Sequence, residues 1–181
     1  AELASGLGEI VKTALIGDAG LLELLAREAP AVLARDAELL GEIVARCVAV
    51  KARIVAADEE ERGERKLLNL GHTFGHGIEQ AAGPGTIPHG VAVAVGLVLA
   101  LEASARAGLL EERGLLASIP RLLAVLGLPS SLAELRRRSG KSLDPGELLA
   151  GMRHDKKGAA GRPRFVLVRR AERLEHGHEL D

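Results

Sequence analysis

Aromatic side chains are almost missing from this sequence: Phe74 and Phe165 are present, with no tryptophan or tyrosine among 181 residues. A core without large rings must be built from Leu, Val, Ile and Ala, which suits closely packed helices. A hydrophobic share of 47% is enough to give one sizeable core and to exclude a disordered chain. The lone cysteine, Cys47, excludes an internal disulfide. It lies in an apolar run and reads as a small buried hydrophobe, and the cytoplasm is the expected compartment. Neither sign of charge dominates, with 24 basic against 25 acidic residues and a net charge of -1. That balance excludes the broad electropositive face that nucleic acid or an anionic membrane requires, while a local basic cluster could still hold a small anion. No apolar run reaches bilayer length; the longest, Val91 to Leu101, is broken by Gly96. No signal-peptide pattern is visible. The first residue is Ala1 rather than methionine, so the chain is expected to be cut from something longer.

Helical periodicity fills most of the sequence. Leu3 to Ile16 carries Leu7, Ile10, Val11, Ala14 and Leu15 on one side and is ended by Gly17-Asp18. Ala19 to Arg27 forms a second helix, stopped near Pro30. Ala31 to Ala57 reads as one or two helices, with Leu39, Leu40, Ile43, Val44, Cys47, Val48 and Ile54 inward. The charged run Asp58 to Arg65 reads as a solvated turn, and Lys66 to Ala82 as a helix ended by Gly83-Pro84-Gly85. Val91 to Ala107 is apolar nearly all round and so buried on most sides. Leu109 to Leu126 and Leu132 to Arg138 follow, with Pro120 and Pro129 as punctuation. Asp144-Pro145 opens another helix, Asp as cap and Pro at the first helical position. Only Arg164 to Val168 has strand character, in a hairpin or at a sheet edge, and the tail with His176 and His178 is polar. The whole, residues 1–181, reads as one mostly α domain with a short β hairpin or strand near its C-terminus.

The segment Arg65 to Glu79 concentrates the chemistry. On a helix, His72 and His76 share a face, with Asn69 and Arg65 in line before them. Gly71, Gly75 and Gly77 sit beside that stripe, each costing a helix about 1 kcal/mol relative to alanine. Such a cost is expected where the backbone must approach a ligand or another helix closely. His89, between Pro88 and Gly90 at the start of the apolar helix, either caps it in solvent or binds a metal. Two histidines and a carboxylate form a common set for catalytic zinc. Glu9 is the best carboxylate, although spacing alone leaves it, with Lys12, as a surface ion pair.

In order and spacing, Ser5-Gly-Leu-Gly-Glu-Ile-Val-Lys12, Lys51, Asp58-Glu-Glu-Glu61, Arg65 through Glu79, and His89-Gly90 resemble the 3-dehydroquinate synthase family. The string Leu-Asn-Leu-Gly-His-Thr-Phe-Gly-His is the most specific part. Asp155-Lys156-Lys157 and the strand at Phe165 resemble the family's C-terminal segment. The resemblance implies that Glu9, His72 and His89 are metal ligands for zinc or cobalt. It implies that Lys12, Lys51, Arg65 and Asn69, with one of Lys156 and Lys157, hold the phosphate, carboxylate or hydroxyls of a phosphorylated keto-sugar acid. Glu61 and His76 match proton-transfer positions, and Ser5 falls where the first helix approaches NAD. The implied reaction uses NAD catalytically to eliminate phosphate and close a carbocycle, in a homodimer. Arginine and lysine suit the anionic substrate groups, and proton relay suits His76 and Glu61.

Departures from the family pattern shape the expectation. Nothing here resembles the family's N-terminal α/β domain, which binds most of NAD: there is no Gly-x-Gly-x-x-Gly after a strand. The chain is therefore expected to be a fragment, a separate domain or a subunit of a split enzyme, inactive without that half. Val91 stands where the family usually has Glu, removing a partner for a metal-ligating histidine, and Thr13 stands where an aromatic is frequent. The alternatives are another sugar-phosphate cyclase such as 2-deoxy-scyllo-inosose synthase, a metal-dependent alcohol dehydrogenase, and a non-catalytic scaffold.

Overall fold

Helices run in sequence from α1 (Glu2–Gly17) through α2 (Ala19–Arg27), α3 (Ala29–Leu33) and α4 (Ala37–Ala57) in a computed structural model that describes residues 2–154 and 162–180. A 3-10 helix (Glu64–Asn69) leads into α5 (His72–Ala82) and α6 (His89–Arg106). After them come α7 (Leu115–Val125), α8 (Leu132–Ser139), α9 (Pro145–His154) and the strands β1 (Phe165–Arg170) and β2 (Arg173–His178). The strands pair antiparallel, Val168 opposite Leu174 and Arg170 opposite Arg173, as a hairpin turning through Ala171-Glu172.

The apolar helix α6 is the axis of the structure. Ala92, Val93, Ala94, Val95, Leu97 and Leu101 are all buried, as its all-round hydrophobicity requires. One side packs Leu97 and Leu101 with Leu7, Val11 and Leu15 of α1, Ile43 and Ile54 of α4, and Ile119 and Leu123 of α7. The other packs Ala92 and Val95 with Ile78 of α5, Leu148 and Met152 of α9, and Phe165 and Leu167 of β1. Its 18 residues meet a membrane span's length and hydropathy, but its neighbours bury it as they would a core helix. The two phenylalanines meet each other, ring centroids 4.8 Å apart, and join α5 to β1. Ser104, buried in α6, accepts from the Val168 N–H at 2.8 Å and so ties the hairpin to the axis.

Several expectations are met. The Asp144 carboxylate accepts from the Gly146 N–H at 2.8 Å and caps α9, with Pro145 first in the helix. The hairpin is present, and Ala31 to Ala57 divides into α3 and α4 at Arg35, which takes a φ of +63°.

Others are corrected. Lys66 to Ala82 is not one helix. Gly71, at φ +75°, breaks it, because the backbone there must turn against Val93 and Leu97 of α6. Val44 and Val48 are not inward: they stay 54% and 60% exposed, on the face of α4 turned from Ile43 and Ile54. Cys47 is half-buried rather than buried. Pro120 does not punctuate a helix; it lies within α7, which begins only at Leu115. The tail with His176 and His178 is the second strand, where pairing with β1 supplies the order its own composition does not.

Candidate metal and substrate site

Glycine contacts decide where the site lies. A Cβ on Gly8 of α1 would fall 1.9 Å from the Gly90 carbonyl oxygen, and one on Gly90 would fall 1.7 Å from that of Ser5. The helices α1 and α6 thus cross backbone against backbone, and the Ser5 hydroxyl oxygen accepts from the Gly90 N–H at 3.0 Å. A Cβ on Gly96 would fall 2.1 Å from the Gly71 carbonyl oxygen, so the start of α5 meets the same helix about 1.7 turns further on. The expected close approach of the glycine-rich segment is therefore to other helices, Gly77 included, which faces Leu148 and Met152 of α9.

These crossings bring Glu9, His72 and His89 together. Glu9 Oε1 lies 3.6 Å from His72 Nε2 and 3.7 Å from His89 Nε2, and the rings of the two histidines are 5.1 Å apart. Neighbouring donors around a tetrahedral ion with ligands about 2.1 Å away stand roughly 3.4 Å apart, close to this spacing. Glu9 Oε1 is buried without a hydrogen-bond partner, an arrangement that costs free energy unless something binds there. The other oxygen, Oε2, is engaged: Lys12 Nζ donates to it at 2.8 Å, and Lys51 Nζ stands 3.8 Å away. One carboxylate thus faces two ways, cations on one side and imidazole nitrogens on the other.

The protonation states suit a cation. Burial above all, then the charge of Lys12, pushes His72 down to about 4, so its ring is neutral at pH 7. Its Nδ1 faces the Leu70 carbonyl at 3.2 Å, which leaves the Nε2 lone pair toward Glu9. Burial would raise the Glu9 carboxyl, but the charge and hydrogen bond of Lys12, with His72 and Lys51, outweigh it and hold the group below its ordinary value. Lys12, only 3% exposed, is itself lowered, chiefly by burial. A neutral His72 imidazole and an ionised Glu9 carboxylate, with the His89 ring beside them, belong to the donor types that zinc or cobalt takes.

A cleft of about 300 Å³ opens beside His72, walled by Glu61, Asn69, His76, Lys66, Arg164 and His176 among others. Asn69 Nδ2 donates to Glu61 Oε1 at 3.0 Å. Glu61 takes a φ of +56°, a conformation that costs a non-glycine residue about 1 kcal/mol or more. Its loop is held by one carboxylate: Asp58 accepts from the backbone N–H groups of Arg62, Gly63 and Arg65 at 2.8 to 3.0 Å. The charged run is thus a built loop rather than a plain solvated turn.

The single stripe expected from Arg65 to His76 does not exist, since the break at Gly71 separates its halves. Arg65 instead donates to the Glu59 carbonyl oxygen at 2.6 Å and does not line the cleft. Lys156 and Lys157 lie outside the described residues. Lys66, Arg164 and His176 were given no role from the sequence, and for the last two no local signal existed, because the hairpin and the residue before it deliver them from about ninety to a hundred positions away. Glu79 had none either, and its Oε1 lies 3.2 Å from His89 Nδ1.

Comparison with known proteins agrees with this geometry. Residues 6–158 match the family described as 3-dehydroquinate synthase C-terminal. The 3-dehydroquinate synthase of Acinetobacter baumannii (strain SDF) is 45% identical over 168 residues, which cover 93% of this chain and 44% of that protein. That of Dehalococcoides mccartyi (strain CBDB1) is 40% identical over 169 residues, again 93% of this chain and 44% of the relative. The chain thus spans less than half the length of these relatives. Among solved structures, ValA, the 2-epi-5-epi-valiolone synthase of Streptomyces hygroscopicus subsp. jinggangensis 5008 with NAD+ and Zn2+ bound, superposes with a TM-score of 0.75. It is 26% identical, over 99% of this chain and 48% of that one. A 2-deoxy-scyllo-inosose synthase complexed with carbaglucose-6-phosphate, NAD+ and Co2+ shares the fold, with a TM-score of 0.72 at 23% identity, over 96% of this chain and 46% of that one. Sequence family, fold and site geometry converge, and the chain belongs to the 3-dehydroquinate synthase C-terminal family.

Proposed function

We propose that this chain is the metal- and substrate-binding half of a 3-dehydroquinate synthase, which converts 3-deoxy-arabino-heptulosonate 7-phosphate to 3-dehydroquinate and phosphate in the cytoplasm. An N-terminal NAD-binding domain completes the site, and the assembly is a homodimer. The observation that carries the reading is the buried, unpartnered Glu9 Oε1 facing the Nε2 atoms of His72 and His89. When bound, zinc or cobalt at these three residues supplies polarisation of a substrate hydroxyl, and NAD supplies reversible hydride acceptance.

The chain's own residues do the rest. Lys12 holds Glu9 by Oε2 and keeps Oε1 turned to the histidines. Lys51, half-exposed beside the same carboxylate, is free to swing toward an anionic substrate group. Asn69 holds Glu61 at the cleft edge, where Glu61 and His76 stand on its walls to move protons. Arg65 joins the substrate phosphate or carboxylate by leaving the Glu59 carbonyl, and one of Lys156 and Lys157 adds a cation. Ser5, which accepts from Gly90, sits at the edge that NAD approaches.

The test is zinc content and affinity of the purified protein beside a His72→Ala/His89→Ala double variant. One zinc per chain, lost in the double variant, is expected; equal zinc in both would sink the ligand set. With the N-terminal half supplied, phosphate release from 3-deoxy-arabino-heptulosonate 7-phosphate separates this reading from another sugar-phosphate cyclase, which would leave that substrate untouched.

A further inference from the structure

Val91, directly after His89-Gly90, packs half-buried among apolar neighbours and offers His89 no carboxylate. The carboxylate comes from elsewhere. In α5, His72, His76 and Glu79 follow at steps of four and three and so share one face over two turns. That face lies against the start of α6, where Glu79 Oε1 is 3.2 Å from His89 Nδ1 while His89 Nε2 points to Glu9 Oε1 at 3.7 Å. One ring nitrogen of His89 meets a carboxylate and the other faces the site. For His72 the corresponding partner of Nδ1 is the Leu70 carbonyl, a neutral group on its own strand of backbone. The two histidines are therefore held differently, one by the main chain and one by a charged side chain from another helix.

We propose that Glu79 is the positioning residue of His89. Its carboxylate accepts a hydrogen bond from Nδ1–H, fixing the tautomer whose Nε2 lone pair faces Glu9 and His72 and strengthening that nitrogen as a donor to a divalent metal ion. The inference rests on the metal-binding reading above. A hydrogen-bonded carboxylate behind a ligating imidazole fixes the ring and raises its basicity, and its loss typically costs 10–100-fold in metal affinity. His76, Glu79 and His89 also offer donor atoms within 4.8 Å of one another, so Glu79 as a direct ligand is the competing role that the test must separate.

In the full natural polypeptide, zinc affinity is measured by competition with a chromophoric chelator for wild type, Glu79→Gln, Glu79→Ala and Glu79→Asp. Roughly 10–100-fold weaker binding is expected for the alanine variant, with partial recovery in the aspartate variant. The visible spectrum of the cobalt-saturated protein should be the same in wild type and Glu79→Gln; a changed spectrum would make Glu79 a ligand and overturn the positioning role. In metal-free protein labelled with ¹⁵N-histidine, in mildly alkaline buffer, His89 should carry its proton on Nδ1 and shift toward Nε2–H in Glu79→Ala. Unaltered zinc affinity in that variant, or an Nε2–H wild type, would overturn the proposal. A wild type that takes no zinc yet keeps the Nδ1–H tautomer, lost in Glu79→Ala, removes the metal reading and leaves the Glu79–His89 pairing supported. Glu79→Gln has the same shape as the native side chain and guards against a folding defect being read as a lost contact.

Discussion

The two sides of the site are built by opposite means. On the metal side, Glu9, His72 and His89 ride on helices α1, α5 and α6, which touch through backbone at Gly8, Gly71, Gly90 and Gly96. On the other side, Glu61 rides on a loop and Arg65 and Asn69 on the 3-10 helix that follows it, a segment held by the hydrogen bonds of Asp58 and partly in solvent. Interlocked backbones leave no slack, whereas hydrogen bonds partly open to solvent exchange more readily with water. The contrast suits the tasks proposed above: a metal needs donors fixed within tenths of an ångström, and a large polar substrate needs groups that can close on it.

The most forceful way to break the contrast is Gly90→Ala. Its Cβ would strike the Ser5 carbonyl oxygen at 1.7 Å, and a loss of about 3 kcal/mol or more is expected in denaturant unfolding. Stability within about 1 kcal/mol of wild type would show that α1 and α6 are not locked there.

An intermediate effect comes from acid. His72 is pushed down to about 4 by burial and by Lys12, against an ordinary value of 6.5. Between those values the unfolded chain takes up a proton that the folded chain refuses. The metal-free protein therefore gains stability as pH rises from about 4 to 6.5 and loses it on the way down. Glu9, also depressed, adds to that loss only below its ordinary value of 4.5. In His72→Gln the slope above pH 4.5 should flatten; an unchanged slope would place its origin outside this corner.

The smallest effect on the fold, and the sharpest on the comparison, is expected from Asp58→Asn. The three N–H groups that Asp58 collects keep a weaker acceptor, so thermal stability should fall less than in Gly90→Ala. Zinc affinity should stay unchanged while, on the proposed function and with the N-terminal half supplied, KM for the sugar phosphate rises. Equal damage to zinc affinity would mean that the two sides are mechanically one.

Much of this was legible along the chain because it depended on neighbours in sequence. The apolar stretch at Val91 announced the axis helix, and Asp144-Pro145 announced a cap that is there. Where the outcome depended on distant contacts, periodicity misled. Lys66 to Ala82 has helical composition, yet Gly71 turns out of the helix because α6 stands against it. Val44 and Val48 are apolar, yet α4 has neighbours on one side only among the described residues. The metal corner is the instructive case. His72 and His89 could be suspected individually, but Glu9 was reachable only through resemblance, since its place is set by a crossing of α1 and α6. Glu79 stood within the most informative stretch and gave no local sign that His89 would be its partner.

Each of the three residues converging on the corner stands next to a glycine at which its helix meets another: Glu9 after Gly8, His72 after Gly71, His89 before Gly90. In mechanical terms they sit at the fulcrums. When two helices rock about their point of contact, displacement grows with distance from that point, so the far ends travel and the residues at the pivot hardly move. Thermal rocking of this kind sweeps the outer turns of α1 and α5 while the donor spacing at the pivot stays constant.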